Sequence, residues 1–512
     1  MATPQARLAN ALEAIEKLQA DGRHAVRSGD ITRDARELLT RNGFLREVMR
    51  GWYIPGQPGQ PDGETTAWYA SYWGFVVDYL TERFDAAWSL SADQSLVIHA
   101  GNWNVPAQLL VRAQGGRNGV TTFLHGTSLL DVNQPPAQHG DLAVVQGLRL
   151  HAVEAALIGA SPNFFRNQPT EARTILAMQR DASALLERLL AGGHTIIASR
   201  LAGAFRNVGR DREADSILSA MTAAGYKVRE VDPFADQLPV TPYRREPSPY
   251  VHRIRLLWAK MRQDIPGRFP PPGRVNDLER YMKAVDEVYV TDAYHSLSIE
   301  GYRVSRELIE RVRGGAWNPE GDEADRAQRD AMAARGYWQA FTAVKDSVRA
   351  VLAGENPGLV ADRDHPTWYR ELFAPSVGAG LITAAKLAGY RNTPVYIRNS
   401  RHVPLSPDAV RDAMPTFFEL LSEEPDPAVR VVLGHFIFVY IHPYLDGNGR
   451  TGRFLMNVMM AAGGYPWTVI PVQARDRYMA ALEAASVGQD IGPFASFLAE
   501  HVLKPAPEAA RA

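Results

Sequence analysis

The segment PAVRVVLGHFIFVYI, from Pro427 to Ile441, constrains this chain more than any other. Asp426-Pro427 ahead of it is a helix start, with a capping aspartate and a proline in the first turn. The helix that follows is apolar almost all round rather than along one stripe, so it must be a buried central helix with other elements packed on every side. The longest apolar stretch, Val429 to Tyr444, contains Arg430, His435 and His442, and is too short and too polar for a membrane span. Pro443 stops the helix. A chain of 512 residues, about three domains by length, has ample material to supply that shell.

Directly after the helix comes His442-Pro443-Tyr444-Leu445-Asp446-Gly447-Asn448-Gly449-Arg450-Thr451-Gly452-Arg453, and a second helix is expected from about Gly449 to Gly463-Gly464. Read physically, this is a helix–loop–helix whose loop is an anion cradle. Gly447, Asn448 and Gly449 let successive backbone N–H groups turn inward at the positive end of the second helix. Asp446 offers a hard oxygen beside them, which suits magnesium held jointly by one carboxylate and substrate phosphates. Arg450 and Arg453, three apart, share a helix face and can grip further phosphate oxygens. His442 stands at the opposite lip, where a neutral imidazole can take a proton from an attacking hydroxyl. A plain Gly-rich turn between two buried helices would not need an acid, an asparagine and two arginines at these intervals.

At these residues the chain resembles the Fic family, whose signature is H-P-F-x-[D/E]-G-N-G-R-x-x-R, with Tyr444 in place of phenylalanine. The resemblance covers roughly residues 275–490. It implies a mainly α-helical fold and transfer of AMP from ATP-Mg2+ to Ser, Thr or Tyr hydroxyls of a target protein. Carried over by position, His442 is the general base and Asp446 the magnesium ligand. Gly447, Asn448 and Gly449 form the phosphate nest, with Asn448 near the α-phosphate, and Arg450 and Arg453 bind the outer phosphates. Doc-type kinases of the superfamily have bulkier residues at the two glycine positions, so this loop looks like the AMP-transferring kind.

Three flanking segments bear on the same reading. GYRNTPVYIRNSRHVPLSP (389–407) alternates like a hairpin, with a turn at Asn399-Ser400. It resembles the family's flap, which holds the target peptide as an added strand. Val395, Tyr396, Ile397, His402 and Val403 would face the target; an ordinary surface hairpin is the alternative. Tyr478 lies where related sequences have an aromatic near the adenine, and is otherwise a core tyrosine. Ser296-Leu297-Ser298-Ile299-Glu300-Gly301 resembles the family's inhibitory motif [S/T]-x-x-x-E-[G/N], at the end of a helix spanning 276–301. Ser296 and Glu300, four apart, share a face. The resemblance points Glu300 at Arg453, in the place of the γ-phosphate, with Gly301 as C-cap.

Upstream, residues 1–55 read as a helix (5–20), a second helix (Thr32 to Arg41) stopping at Asn42-Gly43, and the β-like run FLREVMRGWYIP with a turn at Gly51. That order resembles the winged-helix module of AbiEi-type antitoxin regulators. Arg33, Arg36, Arg41, Arg46 and Arg50 then become candidates for DNA phosphates, or form a solvated basic face. After a linker at 56–66, residues 67–240 read as an α/β region. QSLVIHA, TTFLH, HTIIAS and YKVREV are its β-rich runs, and ALLERLLAGG and DSILSAMTAAG are helices. His99, His125 and His151 have no ligand-like spacing there and are expected to be structural. The Pro-rich stretches PVTPYRREPSP and IPGRFPPPGR separate it from a C-terminal part, 275–503, that is mostly helical. The tail KPAPEAARA is expected to be disordered.

The whole is thus a multidomain chain: a winged-helix-like module, an α/β middle region and a helical Fic domain. Net charge of -1 gives no global pull toward nucleic acid or membrane. The absence of cysteine excludes thiolate metal sites and a cysteine nucleophile, and together with an N-terminus lacking an apolar run it leads us to expect a cytoplasmic protein. The expected activity is protein adenylyltransferase, restrained by Glu300. Rival readings are a DNA-binding, antitoxin-like regulator with a vestigial Fic site, or a Fic enzyme that removes AMP or uses another nucleotide.

Overall fold

The structure, a computed structural model, describes residues 3–59, 64–234, 248–315 and 329–503. Most of PVTPYRREPSP, part of the 56–66 linker and the tail KPAPEAARA lie outside the described residues. Two compact units are present: residues 1–253 with 396–403, and residues 254–395 with 404–512.

In the first unit, helices Pro4–Ala20 and Arg33–Arg41 are each capped by a threonine, Thr3 and Thr32. Strands β1 (Val26–Arg27), β2 (Leu45–Met49) and β3 (Trp52–Pro55) make an antiparallel sheet in the order β1-β3-β2, turning at Gly51 with φ 83°. The order helix, helix, hairpin is therefore as expected, with β1 added between the helices. Helix Thr66–Phe84 docks beside this sheet, and its Asp78 accepts from the backbone N–H of His24 (2.6 Å) and Ala25 (2.7 Å). A four-stranded sheet follows, β4 (Trp88–Leu90), β5 (Gln108–Ala113), β7 (Ser128–Asn133) and β6 (Gly119–Thr122) in that spatial order, with β5 and β7 parallel. A hairpin of β8 (Leu142–Val145) and β9 (Leu148–His151) leads into a run of helices from Val153 to Ala223.

Several β-rich readings are corrected here. QSLVIHA lies in helix Ala92–His99 and HTIIAS in helix Thr195–Asn207, while YKVREV forms no strand. Short apolar runs fit a buried helix as well as a strand, and periodicity alone cannot separate them; Leu96, Ile98 and Ala198 are buried in these helices. TTFLH keeps only Thr121 and Thr122 in β6. His99 Nε2 donates to the His151 carbonyl at 2.8 Å, a structural tie.

The second unit is helical. The central helix Pro427–Ile441 is capped by Asp426, which accepts from Ala428 N (2.8 Å) and Val429 N (3.3 Å), and it is buried on nearly every side. Helices Leu278–Ile299, Arg329–Leu352, Pro357–Gly378, Pro407–Glu423, Asn448–Ala462, Arg475–Gly488 and Gly492–Val502 make up most of the rest. This shell is what an all-round apolar helix requires. Among the described residues no helix is long and apolar enough to cross a membrane.

The hairpin expected at 389–407 is absent: no strand forms there. The turn survives at Asn399, with φ 58° and a bond from Ser400 N to Ile397 O of 3.2 Å. Partners from elsewhere in the first unit replace the missing ladder. Arg401 O accepts from Val105 N (3.0 Å), His402 Nδ1 meets Asn104 Oδ1 (2.9 Å), and Arg398 pairs with Glu64.

Candidate active site

The central helix delivers His442 to the site in an unusual backbone conformation. His442 has φ 56° and ψ 60°, left-handed for a residue with a side chain, which carries a strain of about 1–3 kcal/mol unless neighbours fix it. Arg391 fixes it. Its Nε donates to His442 O at 2.8 Å and its backbone N–H to Pro443 O at 2.9 Å. The His442 ring is oriented by Nδ1 lying 3.1 Å from Val439 O. A carbonyl only accepts, so Nδ1 carries the hydrogen and Nε2 remains the proton acceptor. Burial pushes the imidazole down to about 4, against the opposing effects of the Val439 carbonyl and the Glu300 and Asp446 charges. It is therefore neutral at physiological pH, as a base must be.

The loop is closed by Asn448. Its Oδ1 accepts from Tyr444 N (2.9 Å) and its Nδ2 donates to Tyr444 O (2.8 Å), so both ends of the amide are engaged by the loop itself. Asn448 thus braces the nest from within. Tyr444, 1% exposed, anchors the loop by stacking on Tyr369 at 3.7 Å between centroids. Gly447 starts the second helix with φ 76° and supplies no side-chain cap. The first N–H groups of a helix have no internal partners, and an uncapped start leaves them for an anion.

Two arginines complete the cradle. Arg450 is 1% exposed, with its Cζ 5.3 Å from the Tyr302 ring centroid and 5.0 Å from that of Phe373. Its Nε and Nη2 are buried without a hydrogen-bond partner, as is Nη1 of Arg453. Buried orphan donors are rare because each costs about 1–3 kcal/mol, so these fit a site shaped for a phosphate-bearing ligand. The other Arg453 donors are engaged by the helix Leu278–Ile299: Nε with Ser296 Oγ (2.9 Å), and Nη2 with Ser296 O (3.0 Å) and Glu300 Oε1 (2.7 Å). Although burial opposes it, the Arg453 and Arg450 charges hold Glu300 below the usual carboxylate range. The carboxylate rests where a Cβ on Gly449 would collide with Oε1. Gly301, at φ 88°, ends that helix turn.

Asp446 is the acid beside the nest, its side chain 66% exposed and 3.6 Å from Arg450 Nη2. Among the described residues no group of three or more His, Asp or Glu converges as a metal site. One exposed carboxylate next to an anion cradle still fits a magnesium ion whose other ligands are phosphates and water.

Tyr478 is 1% exposed, bonded to His435 Nε2 at 2.7 Å and packed on Phe494 and Phe497, and its hydroxyl also reaches the Arg453 side chain. Of the flap residues, Tyr396 is 39% exposed, whereas His402 is 2% exposed and Val403 packs into the first unit's core. In the N-terminal module Arg33 pairs with Glu37 (2.7 Å), Arg36 donates to Ser28 O (2.7 Å) and Arg46 donates to Glu64 O (2.6 Å). Arg41 and Arg50 carry no ion pair among the described residues. Sequence reading missed Arg391, Tyr302 and Phe373, which are far from the motif along the chain and carry no signal of their own.

The profile of the Fic/DOC family matches residues 367–460, a span that includes the loop from His442 to Arg453 but not Ser296 or Glu300. The protein adenylyltransferase fic-1 of Caenorhabditis briggsae is 28% identical over 262 residues, 50% of this chain and 48% of that protein. The protein adenylyltransferase Fic of Nematostella vectensis is 42% identical over 114 residues, 22% of this chain and 26% of that protein. The chain thus spans about half or less of the length of these curated relatives. A solved Fic-1 structure (aa134–508) from C. elegans shares 21% identity, covering 66% of this chain and 93% of that one with a TM-score of 0.34. The chain carries a Fic/DOC-family domain at residues 367–460.

Proposed function

We propose that this site transfers AMP from ATP to a hydroxyl group of a target protein, and that Glu300 restrains it. The observation that carries the reading is the set of buried, unpartnered guanidinium N–H groups on Arg450 and Arg453 beside an uncapped glycine-started helix. The relatives' name, protein adenylyltransferase, points the same way. The nest at Gly447–Gly449 holds the α-phosphate, and the two arginines hold the outer phosphates. His442 Nε2 takes the proton as the target oxygen attacks the α-phosphorus. The bond to pyrophosphate breaks, and the leaving oxygen's charge is met by the arginines. Held near Asp446, magnesium would add further charge neutralisation on the phosphates. Pre-aimed donors of this kind supply most of the rate in such transfers.

The test is incubation of the full chain with ATP labelled at the α-position or at the γ-position. AMP transfer puts α-label into protein and releases pyrophosphate; γ-label in protein would overturn the reading in favour of a kinase. Asp446→Ala is expected to weaken magnesium-dependent ATP binding and slow transfer, because that carboxylate is the acid beside the nest. An unchanged magnesium titration would place the metal elsewhere.

For target binding, Val395, Tyr396 and Ile397 remain our candidates in the flap segment, since His402 and Val403 are turned into protein. Zero cysteine fits a reducing compartment such as the cytoplasm. DNA contact by residues 1–55 rests on the β1-β3-β2 sheet beside helix Arg33–Arg41 and on Arg41 and Arg50. It predicts weak binding of duplex DNA whose affinity falls as salt rises, by one unit of slope per phosphate contact at most. Absence of binding at low salt would assign the module to packing.

A further inference from the structure

Beside the catalytic loop lies a cavity of about 430 Å³, within the second unit, that the proposed chemistry does not use. Its lining includes Lys386, Tyr390, Arg391, Asn392, Arg411 and Leu445. Leu445 belongs to the loop itself, between His442 and Asp446, and is 38% exposed. Three of the lining residues are cationic and none is acidic.

Among the described residues the cations have no counter-ion. Arg391 is 2% exposed, and its N–H groups all go to neutral carbonyls: His442 O (2.8 Å), Thr393 O (3.1 Å) and Leu405 O. Arg411 donates to Pro407 O (2.6 Å), Arg391 O (3.4 Å) and the Asn392 side chain. Lys386 is exposed at the rim. None of the three forms an ion pair among the described residues. Burial and the Arg411 charge together push the Arg391 guanidinium down to about 10, which is the mark of uncompensated positive charge. A half-enclosed surface of one sign concentrates ions of the other, and a buried cation is stabilised by any anion that reaches it.

The cavity is fastened to the catalytic residue. Arg391 bonds both to His442 O and to the segment leading into 396–403, so a group seated here sits at a set position relative to His442. The volume is far larger than the roughly 30 Å³ share of one water molecule and has room for a side chain with part of its backbone. We propose, building on the AMP-transfer reading, that this cavity receives an acidic side chain of the target polypeptide close to the modified hydroxyl, so that the enzyme selects hydroxyls in acidic sequence.

The experiment uses the full chain carrying Glu300→Gly and two fluorescein-labelled peptides with the same central Ser, Thr and Tyr, one flanked by Glu and one by Gln. Anisotropy measures binding at several salt concentrations, and ATP-Mg2+ is then added to measure AMP transfer. The Glu peptide is expected to bind about tenfold tighter at low salt, as a charged hydrogen-bonded contact allows, and to lose that advantage as salt screens it. Lys386→Glu, a surface change, is expected to turn the preference toward a third, Lys-flanked peptide; Arg411→Gln should weaken it. Binding preference without AMP transfer to any peptide would uphold the cavity and sink the transferase reading. AMP transfer with equal binding and rate for the Glu and Gln peptides would overturn the cavity proposal. So would a preference that Lys386→Glu and Arg411→Gln leave unchanged, or one that inorganic phosphate fails to compete.

Discussion

Changing His442 to alanine is expected to lower AMP transfer about 10²–10⁴-fold, the usual effect of removing a general base, while ATP binding stays close to normal. The groups proposed to hold the phosphates are the nest and the two arginines, and none of them bonds to the imidazole; His442 is held by Val439 and Arg391. Equilibrium binding of a fluorescent ATP analogue, read beside initial transfer rates, separates the two effects. A mutant that still transfers at near the wild-type rate would remove the base from His442. The pH profile gives an independent reading. With the folded imidazole pushed down to about 4, transfer should hold steady as pH falls from 7 to 5 and drop only on approaching 4. An ordinary histidine would fade near its usual pKa of about 6.5. In Glu300→Gly the limb should move lower still, since the Glu300 charge now raises the value. A melting curve at each pH is a necessary control. Burial also pushes His295, His365 and His435 down to about 4. Stability that is full above the unfolded value near 6.5 will therefore be lost as pH falls toward 4.

The second large effect is expected from Glu300→Gly, which should raise transfer about 10²-fold, the scale on which misplacement of reacting groups acts. Glu300 Oε1 lies 2.7 Å from Arg453 Nη2 and against Gly449, where an outer phosphate would otherwise be held. ATP that binds beside the carboxylate has its outer phosphates displaced and its α-phosphate misaligned. The measurement is initial-rate self-modification at equal protein and ATP-Mg2+. Folding should suffer modestly without nucleotide, because Arg453 loses a charged partner and keeps neutral ones such as Ser296 and Tyr478. ATP-Mg2+ should then raise the melting temperature of the mutant more than that of the wild type. A folded mutant that is no faster would make the helix end purely structural.

How much of this could be read from the sequence depends on distance along the chain. The central helix, its cap at Asp426 and the loop from His442 to Arg453 were legible because each rests on neighbours within a few residues. The Ser296–Glu300 pairing was legible only through the family's motif; the reach to Arg453 spans more than 150 residues and no local rule encodes it. Arg391 was opaque for the same reason, being a lone arginine until the fold places it under His442. The 389–407 alternation failed for another: alternating residues state that a chain is extended, not what it pairs with, and here the partners are Val105 and Asn104. QSLVIHA and HTIIAS failed because so short an apolar run cannot separate helix from strand by its period. Asn448 shows a subtler limit. Its presence in the loop was plain, but whether its amide served the ligand or the backbone needed the geometry.

That amide has a consequence for control. With both ends of Asn448 tied to Tyr444 and the Tyr444 ring stacked on Tyr369, the nest is braced by the protein's own groups. On the proposed reading, a nucleotide would have little chain to order there, and its entropy penalty would be small. A receptacle of that kind cannot be switched off by falling apart. Under the AMP-transfer reading proposed above it would be obstructed rather than dismantled, and activation would then follow the withdrawal of the helix end that carries Glu300.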